Sequence, residues 1–359
     1  MAGSKRPSLN QSNPTDPMAS LLPYTFGGPA ATGKIKREPD DFIVEEMLGF
    51  ALTGEGEHIF LKIRKRGENT DYIARQIARF AGLPNMAVSY AGLKDRHAVT
   101  AQWFGVHLPG KREVDWRGLE SETVSVLEAV RHNRKLKTGA LQGNRFIITV
   151  RDWQGDRAAL EGALAKIKAE GVPNYFGPQR FGRESNNLVQ AEALFKGELK
   201  LRDRKLEGIY LSAARSEIFN RVLARRVEAG NWNRAIDGDV FMFAGSRSFF
   251  RAEINEETLR RVAEHAIHPS GPLWGVGEIA TTGTALALEQ AVAAEYSALC
   301  EGLERKAVEF ARRPLRLTMP DLSFEFPDAA SLRLSFSLPA GAYATVVLRE
   351  AVDFDGALD

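Results

Sequence analysis

Cysteine is almost missing from this chain. The single thiol, Cys300, allows no internal disulfide framework and no cysteine-rich zinc site, a usage that fits a reducing cytosol. A zinc-dependent base deaminase is excluded on the same ground, because its paired cysteines and its histidine-glutamate signature are both lacking. Long apolar runs are missing too: none reaches the roughly eighteen residues that a membrane span requires. Charge of one sign is not in excess, with 48 basic against 46 acidic residues and a net charge of +2. No internal repeat is present. The first twenty residues have no apolar signal core; they are polar, contain three prolines, and read as a disordered extension reaching about residue 22.

What remains is an ordinary globular composition, 44% hydrophobic and 26% charged, in a chain of 359 residues long enough for two domains. The basic residues are unevenly spread. Lys62-Ile63-Arg64-Lys65-Arg66 carries four cations in five positions, and residues 131–145 hold Arg131, Arg134, Lys135, Lys137 and Arg145 without an acid. Arg312, Arg313 and Arg316 form a third cluster, and Arg202, Arg204 and Lys205 a weaker fourth. Such clusters in a near-neutral chain read either as a one-sided phosphate footprint or as solvated faces.

Hydrophobic periodicity predicts strands and helices interleaved along the chain. Residues 34–46 read as a strand entered through a Pro39-Asp40 corner, with Phe42 and Val44 on one side. Residues 58–64 alternate as a strand with one basic face. A helix follows, capped by Asn69 or Thr70, with Ile73, Ile77, Phe80 and Ala81 along its buried stripe. Trp103, Phe104 and Val106 read as a strand, and Phe146-Ile147-Ile148-Thr149-Val150 as a strong one. A helix over 156–170 ends at Gly171. From Val172 the pattern becomes glycine-rich and aromatic, then helical, with one helix over 212–229 and another over 286–313 stopped by Pro314. Leu332, Leu334, Phe336 and Leu338 then alternate as a strand that returns to the first sheet.

The stretch from Tyr90 to Gly110 organises the chemistry. At its centre Asp95 sits among Lys94, Arg96 and His97 in a small-residue turn beside a strand start, where nearby cations can fix a carboxylate for use as nucleophile or base. A lone charged triplet of this kind also fits a solvated turn. His97 and His107 have no metal-ligand spacing and read as loop structure or phosphate contacts.

Ala91-Gly92-Leu93-Lys94-Asp95-Arg96-His97-Ala98-Val99-Thr100 resembles the signature of the bacterial tRNA pseudouridine synthase D family. Further pieces match that family in the same order: Pro39-Asp40-Asp41-Phe42, Gly54-Glu55-Gly56-Glu57-His58, Gly143-Asn144-Arg145-Phe146, Val172-Pro173-Asn174-Tyr175-Phe176-Gly177, Gln179-Arg180-Phe181-Gly182 and Leu338-Pro339-Ala340-Gly341. The resemblance covers nearly everything after about Gly33.

That resemblance implies an α+β pseudouridine-synthase fold, a mixed and mostly antiparallel sheet with flanking helices, interrupted by an inserted helix-rich α/β domain. The implied partition is a first catalytic part over 23–170, the insertion over 171–317, and a second catalytic part over 318–359. It further implies an isomerase acting on uridine 13 in the D arm of tRNA in the cytoplasm, with no obligate protein partner. The reaction cuts the C1′–N1 bond, turns the uracil and rejoins it through C5, adding no group and removing no electron, so no cofactor or metal is required. Asp95 takes the central role, by attack on the sugar or base or by abstraction of a sugar proton. Asn144 matches the amide beside it, Lys36 the basic residue ahead of Pro39, and Phe146 the aromatic that stacks on the base. Phe42 is expected to pack under the site, and Arg134 and Lys135 to meet phosphates. A non-catalytic tRNA chaperone of the same fold is the alternative. Residues 174–182 fit either a hinge for the insertion or a binding loop.

Overall fold

The structure is a computed structural model and describes residues 22–110 and 112–355. The polar N-terminal stretch expected to be disordered therefore lies outside the described residues, apart from its last position. Strand β1 (Ala31–Lys34) leads through a single 3-10 turn at Pro39–Asp41 into β2 (Phe42–Leu48), where Phe42 and Val44 are buried on one side as their two-residue spacing requires. Strand β3 (His58–Arg66) follows, then helix α1 (Thr70–Phe80), the short β4 (Val88–Tyr90) and β5 (Val99–His107). From the edge strand β6 (Val124–His132) the chain crosses to β7 (Leu141–Gly155), whose buried centre is the β-branched run from Ile147 to Val150.

Local chemistry explains the helix ends. The Asn69 side chain accepts the Asp71 N–H at the start of α1, and Ile73, Ala74, Ile77 and Ala78 form its buried stripe. Phe80 departs from expectation: it is 41% exposed, and covers Trp116 at the rim instead of entering the core. Helix α2 (Arg157–Glu170) is capped by Asp156, which accepts from Ala158 and Ala159, and it stops at Gly171, whose φ of +80° suits glycine.

Beyond Gly171 the chain leaves the main sheet. It forms β8 (Val172–Pro173), α3 (Asn186–Lys196), the 25-residue α4 (Arg204–Glu228), β9 (Val240–Phe243), β10 (Phe249–Arg251), α5 (Glu256–Ala263) and β11 (Ile267–Leu273). Next come α6 (Gly283–Glu295), α7 (Ser297–Arg305), β12 (Ala311–Pro314) and β13 (Arg316–Leu317). Strands β10-β9-β11-β12 make a second sheet, and β13 pairs with β8. The expected continuous helix over 286–313 is thus two helices and a strand. Tyr296 breaks the helix with non-helical φ/ψ of −112° and 32°, and residues 311–314 take the free edge of β11, from Ser270↔Pro314 to Leu273↔Ala311. A tertiary edge overrides the helical pattern there.

The chain then returns through β14 (Ser323–Asp328) and β15 (Ser331–Pro339), passes α8 (Ala344–Leu348) and ends its described part in β16 (Val352–Asp355). As expected, β15 joins the first sheet. It runs antiparallel to β7 from Ser331↔Arg151 to Pro339↔Gly143. The order is β14-β15-β7-β2-β5-β3-β6, with β1 between β7 and β16 and β4 on β5. All pairs are antiparallel except β2 with β5 and β1 with β16. No helix among the described residues is long and apolar enough to cross a membrane.

Two of the basic clusters are corrected by this packing. Arg312 and Arg316 are buried: Arg312 pairs with Glu289 at 2.6 Å and donates to the Ser270 carbonyl, while Arg316 donates to His268 Nδ1 at 3.0 Å. They hold the second sheet together and cannot reach a phosphate. In β3, alternation sends Lys62, Arg64 and Arg66 to one face and buries Lys65 completely on the other.

Candidate active site

Register across the first sheet gathers the site. Val44 faces Phe146 and Glu46 faces Asn144 across β2 and β7; Phe146 faces Phe336 and Asn144 faces Leu338 across β7 and β15. Val44 also pairs with Thr100 on β5, which in turn pairs with Lys65 on β3. Directly opposed residues share a face, so Lys65, Gln102, Glu46, Asn144 and Phe146 all point to the same side. Gly143 makes this possible at the strand end, since a Cβ there would sit 2.1 Å from the Leu338 carbonyl oxygen.

Over that face lies the loop from β4 to β5. Asp95 Oδ1 accepts the His97 N–H at 2.8 Å, and its other oxygen is ion-paired with Lys36. The Lys36 side chain is 6% exposed and that of Asp95 18%, so the pair is shielded but reachable. Lys36 reaches it from a left-handed backbone, φ +55°, a conformation that a non-glycine residue holds only when its surroundings dictate it. The ammonium also stands 4.7 Å above the Phe42 ring. Phe42 meets Phe146 edge-on at 6.2 Å, and Phe146 stacks on Phe336 at 5.8 Å. Asp95, Lys36, Phe42 and Phe146 are therefore one contiguous set, with the Phe42 ring between the Lys36 ammonium and Phe146. Phe146 is itself mostly buried, one face being occupied by Phe336.

Asn144 enters the site through register; its Oδ1 is buried and has no hydrogen-bond partner among the described residues. An orphaned buried amide oxygen carries a desolvation cost that a donor on a ligand would relieve.

Sequence reasoning missed the layer beneath Asp95. Lys94 turns inward to Glu46 at 2.6 Å, with side-chain exposures of 12% and 0%. The ladder between β2 and β5 ends at Glu45↔Ala101, and Glu46 Oε2 accepts the Trp103 N–H at 2.7 Å just beyond it. The Lys94 N–H donates to Thr70 Oγ1, which donates to Gln102 Oε1, and Gln102 Nε2 donates to the Gly92 carbonyl. Lys65 donates to the Glu68 carbonyl at 2.7 Å. Burial raises the Glu46 carboxyl above its usual range, an effect that Lys94 partly offsets. Burial, with Lys94 next in size, lowers the Lys65 ammonium to about 8, and Asp95 and Glu46 oppose that shift. Three ammonium groups, Lys36, Lys65 and Lys94, thus share a small space with the carboxylates of Asp95 and Glu46. The available signal was phase: Glu46 is in register with Phe42 and Val44, and Lys65 with Leu61 and Ile63, so each is a charge on an apolar face.

Arg134 and Lys135 make no contact with Asp95. They lie exposed in the turn from β6 to β7, where the Arg247 guanidinium of the β9–β10 turn approaches Gly139. His107 lies exposed at the far end of β5, 3.8 Å from Glu57. Among the described residues no group of His, Cys, Asp and Glu side chains could hold a metal ion. The first part of the 174–182 segment is structural: Asn174 Nδ2 donates to the Pro314 carbonyl, Tyr175 and Phe176 are buried, and Phe176 exchanges hydrogen bonds with Asn220.

Comparison with known proteins identifies the family. The family model for tRNA pseudouridine synthase D (TruD) matches residues 20–201 and 185–351. A tRNA pseudouridine synthase D of Methylococcus capsulatus is 54% identical over 344 residues, covering 96% of this chain and 97% of the relative. That of Nitrosococcus oceani is 51% identical over 335 residues, covering 92% and 94%. The crystal structure of a candidate tRNA pseudouridine synthase D from Methanosarcina mazei superimposes with a TM-score of 0.72 at 23% identity, covering 93% of this chain and 97% of that one, and shares the fold. On motif order, on fold and on identity along nearly its whole length, the chain belongs to the tRNA pseudouridine synthase D family.

Proposed function

We propose that this protein converts uridine 13 in the D arm of tRNA to pseudouridine in the cytoplasm, using Asp95 as the reacting carboxylate and no cofactor. The observation that carries the reading is the Lys36–Asp95 pair, shielded but reachable, at the end of an aromatic floor made by Phe42 and Phe146. A pure RNA binder has no use for a carboxylate held this way among buried ammonium groups. Lys36 positions Asp95 and balances its charge. The small exposed part of the Phe146 ring meets the extruded uracil, and Asn144 offers its unpartnered oxygen to the N3–H of the base. Confinement keeps the detached uracil aligned and away from water.

In this reading residues 171–317 are an insertion between two parts of one catalytic domain, since β7 and β15 are neighbours although the insertion separates them in sequence. The direct test is purified protein with a tRNA transcript carrying uridine or cytidine at position 13. Pseudouridine should form at that site only and vanish with cytidine. Modification elsewhere would refute the position, and none anywhere the isomerase.

The exposed turn of Arg134 and Lys135 supplies phosphate contacts in the same proposal. Reversing both charges with Arg134→Glu and Lys135→Glu should weaken tRNA binding by about tenfold or more and flatten its salt dependence. Single-turnover conversion at saturating tRNA should stay near wild type. An unaltered dissociation constant would remove this turn from the footprint.

A further inference from the structure

Two guanidinium groups meet on one aromatic ring at the start of the 171–317 stretch. Arg313 lies 4.1 Å from the centre of the Phe176 ring and Arg180 5.5 Å from it. Each is held by neutral acceptors. Arg313 donates to the Asn174 carbonyl and Oδ1 and to the Gly341 carbonyl; Arg180 donates to the Tyr343 hydroxyl at 2.9 Å and to Ser212 Oγ at 3.1 Å. Elsewhere in the fold the buried Arg226 and Arg312 are neutralised by Asp239 and Glu289, whereas buried Arg316 is held by the His268 ring and backbone carbonyls and is closed off from solvent. Neither Arg180 nor Arg313 is within ion-pair distance of a carboxylate among the described residues. Beside them two buried polar atoms, Gln179 Oε1 and Thr345 Oγ1, lack hydrogen-bond partners among the described residues, and both converge on Gly177.

We propose that Arg180 and Arg313 form a two-guanidinium clamp for backbone phosphates of the bound RNA, next to the nucleotide that enters the Asp95 site. Position supports this. Gly341 and Tyr343 belong to the turn after β15, and β15 ends with Leu338 opposite Asn144 and Pro339 opposite Gly143. Gly341 follows Leu338 by at most about 10 Å of extended chain. The clamp therefore stands at the strand end that carries Asn144, where nucleotides flanking the target must pass. Chemistry supports it as well. Neutral acceptors and a ring fix both guanidinium planes without cancelling their charge, so the forks are preorganised for an anion. Burial lowers Arg313 to about 10, an effect that Tyr343 opposes and Arg180 adds to least, and it is still charged at neutral pH. A phosphate would relieve the mutual repulsion of the two cations. Gln179 and the Thr345 hydroxyl would add uncharged contacts, to a ribose or to the same phosphate. This divides residues 174–182 by role: the first half packs, and the second half binds.

The proposal rests on the tRNA-substrate reading, and its test separates the two. Dissociation constants for a tRNA transcript are measured between about 50 and 200 mM salt for the full chain, wild type and with Arg180→Gln, Arg180→Lys, Arg313→Gln and the double glutamine variant. Each glutamine should weaken binding about tenfold and reduce the slope of log K against log salt by about 0.7–0.9. Arg180→Lys should keep the slope. Weaker binding with an unchanged slope, or no change in either, overturns the clamp and leaves the segment as a structural joint. Should Arg313→Gln fail to fold, Arg180→Gln decides alone, because Arg180 is half-buried and bonds only to hydroxyls. Failure of the wild type to bind tRNA overturns the substrate reading itself, and the clamp with it.

Discussion

Asp95→Asn is expected to lower pseudouridine formation by at least ~10⁴-fold, the scale on which loss of a reacting side chain is felt in other enzymes. tRNA affinity should stay within a few-fold of wild type. Asparagine is nearly isosteric, and its Oδ1 can still accept the His97 N–H, so the loop between β4 and β5 keeps its shape. On the proposed role, what disappears is the negative charge that would attack the sugar or base, or take a sugar proton. Lys36 is left nearly enclosed without its counter-charge, at a stability cost of about 1–3 kcal/mol. The phosphate contacts proposed for Arg134, Lys135, Arg180 and Arg313 lie outside this loop and are untouched by the substitution. A thermal melt, a binding isotherm and a pseudouridine assay on one sample distinguish the possibilities. Conversion at the wild-type rate would remove Asp95 from the chemistry. The same variant tests the chaperone alternative, which predicts tRNA-folding activity undiminished by the substitution; both activities can coexist in one protein.

The parts of the site that could be read from the sequence were those whose signal is local. The turn around Asp95 lies in one continuous stretch, and the strands through Phe42 and Phe146 alternate plainly, so their shared face followed from a two-residue period. The contact between Lys36 and Asp95 could be assigned only through resemblance, because it joins distant segments through a left-handed backbone at Lys36. Linear charge density was the poorest guide. In β3 the pleat divides one basic run between two faces and buries Lys65, while Arg312 and Arg316 turned out to be internal ties of the second sheet. The long helix expected over 286–313 failed for a related reason: what residues 311–314 pair with is set by the free edge of β11, some forty residues away. The sequence around Tyr296 contains no glycine or proline to mark the break.

Breaking the buried pair under the active site should have the largest effect on stability. Glu46→Ala is expected to cost about 3–5 kcal/mol, because it strands the Lys94 ammonium in a nearly closed space and frees the Trp103 N–H. Glu46→Gln keeps an acceptor for that N–H and should cost less. Replacing both members, Glu46→Leu with Lys94→Leu, should restore much of the stability lost by either single change, since paired buried charges are often no better than well-packed apolar groups. It should not restore activity, because Lys94 neighbours Asp95 in the loop and its ammonium is part of the cationic lining. The pH dependence has a definite sign. Burial raises the folded-state value of Glu46 above its usual 4.5, so the folded protein binds this proton more tightly than the unfolded chain does. Its contribution is therefore fully present below 4.5 and is lost as pH rises through the folded value, and the wild type should lose ground to Glu46→Gln across that window. Lys65 behaves differently. With its folded value lowered to about 8 from 10.5, the unfolded chain binds more protons between the two, and stability should rise with pH across that range, an increase that Lys65→Met abolishes. Urea melts at a series of pH values measure both. A midpoint for Glu46→Ala equal to that of wild type would mean that the carboxylate beneath Asp95 supports neither the loop nor the charge balance above it.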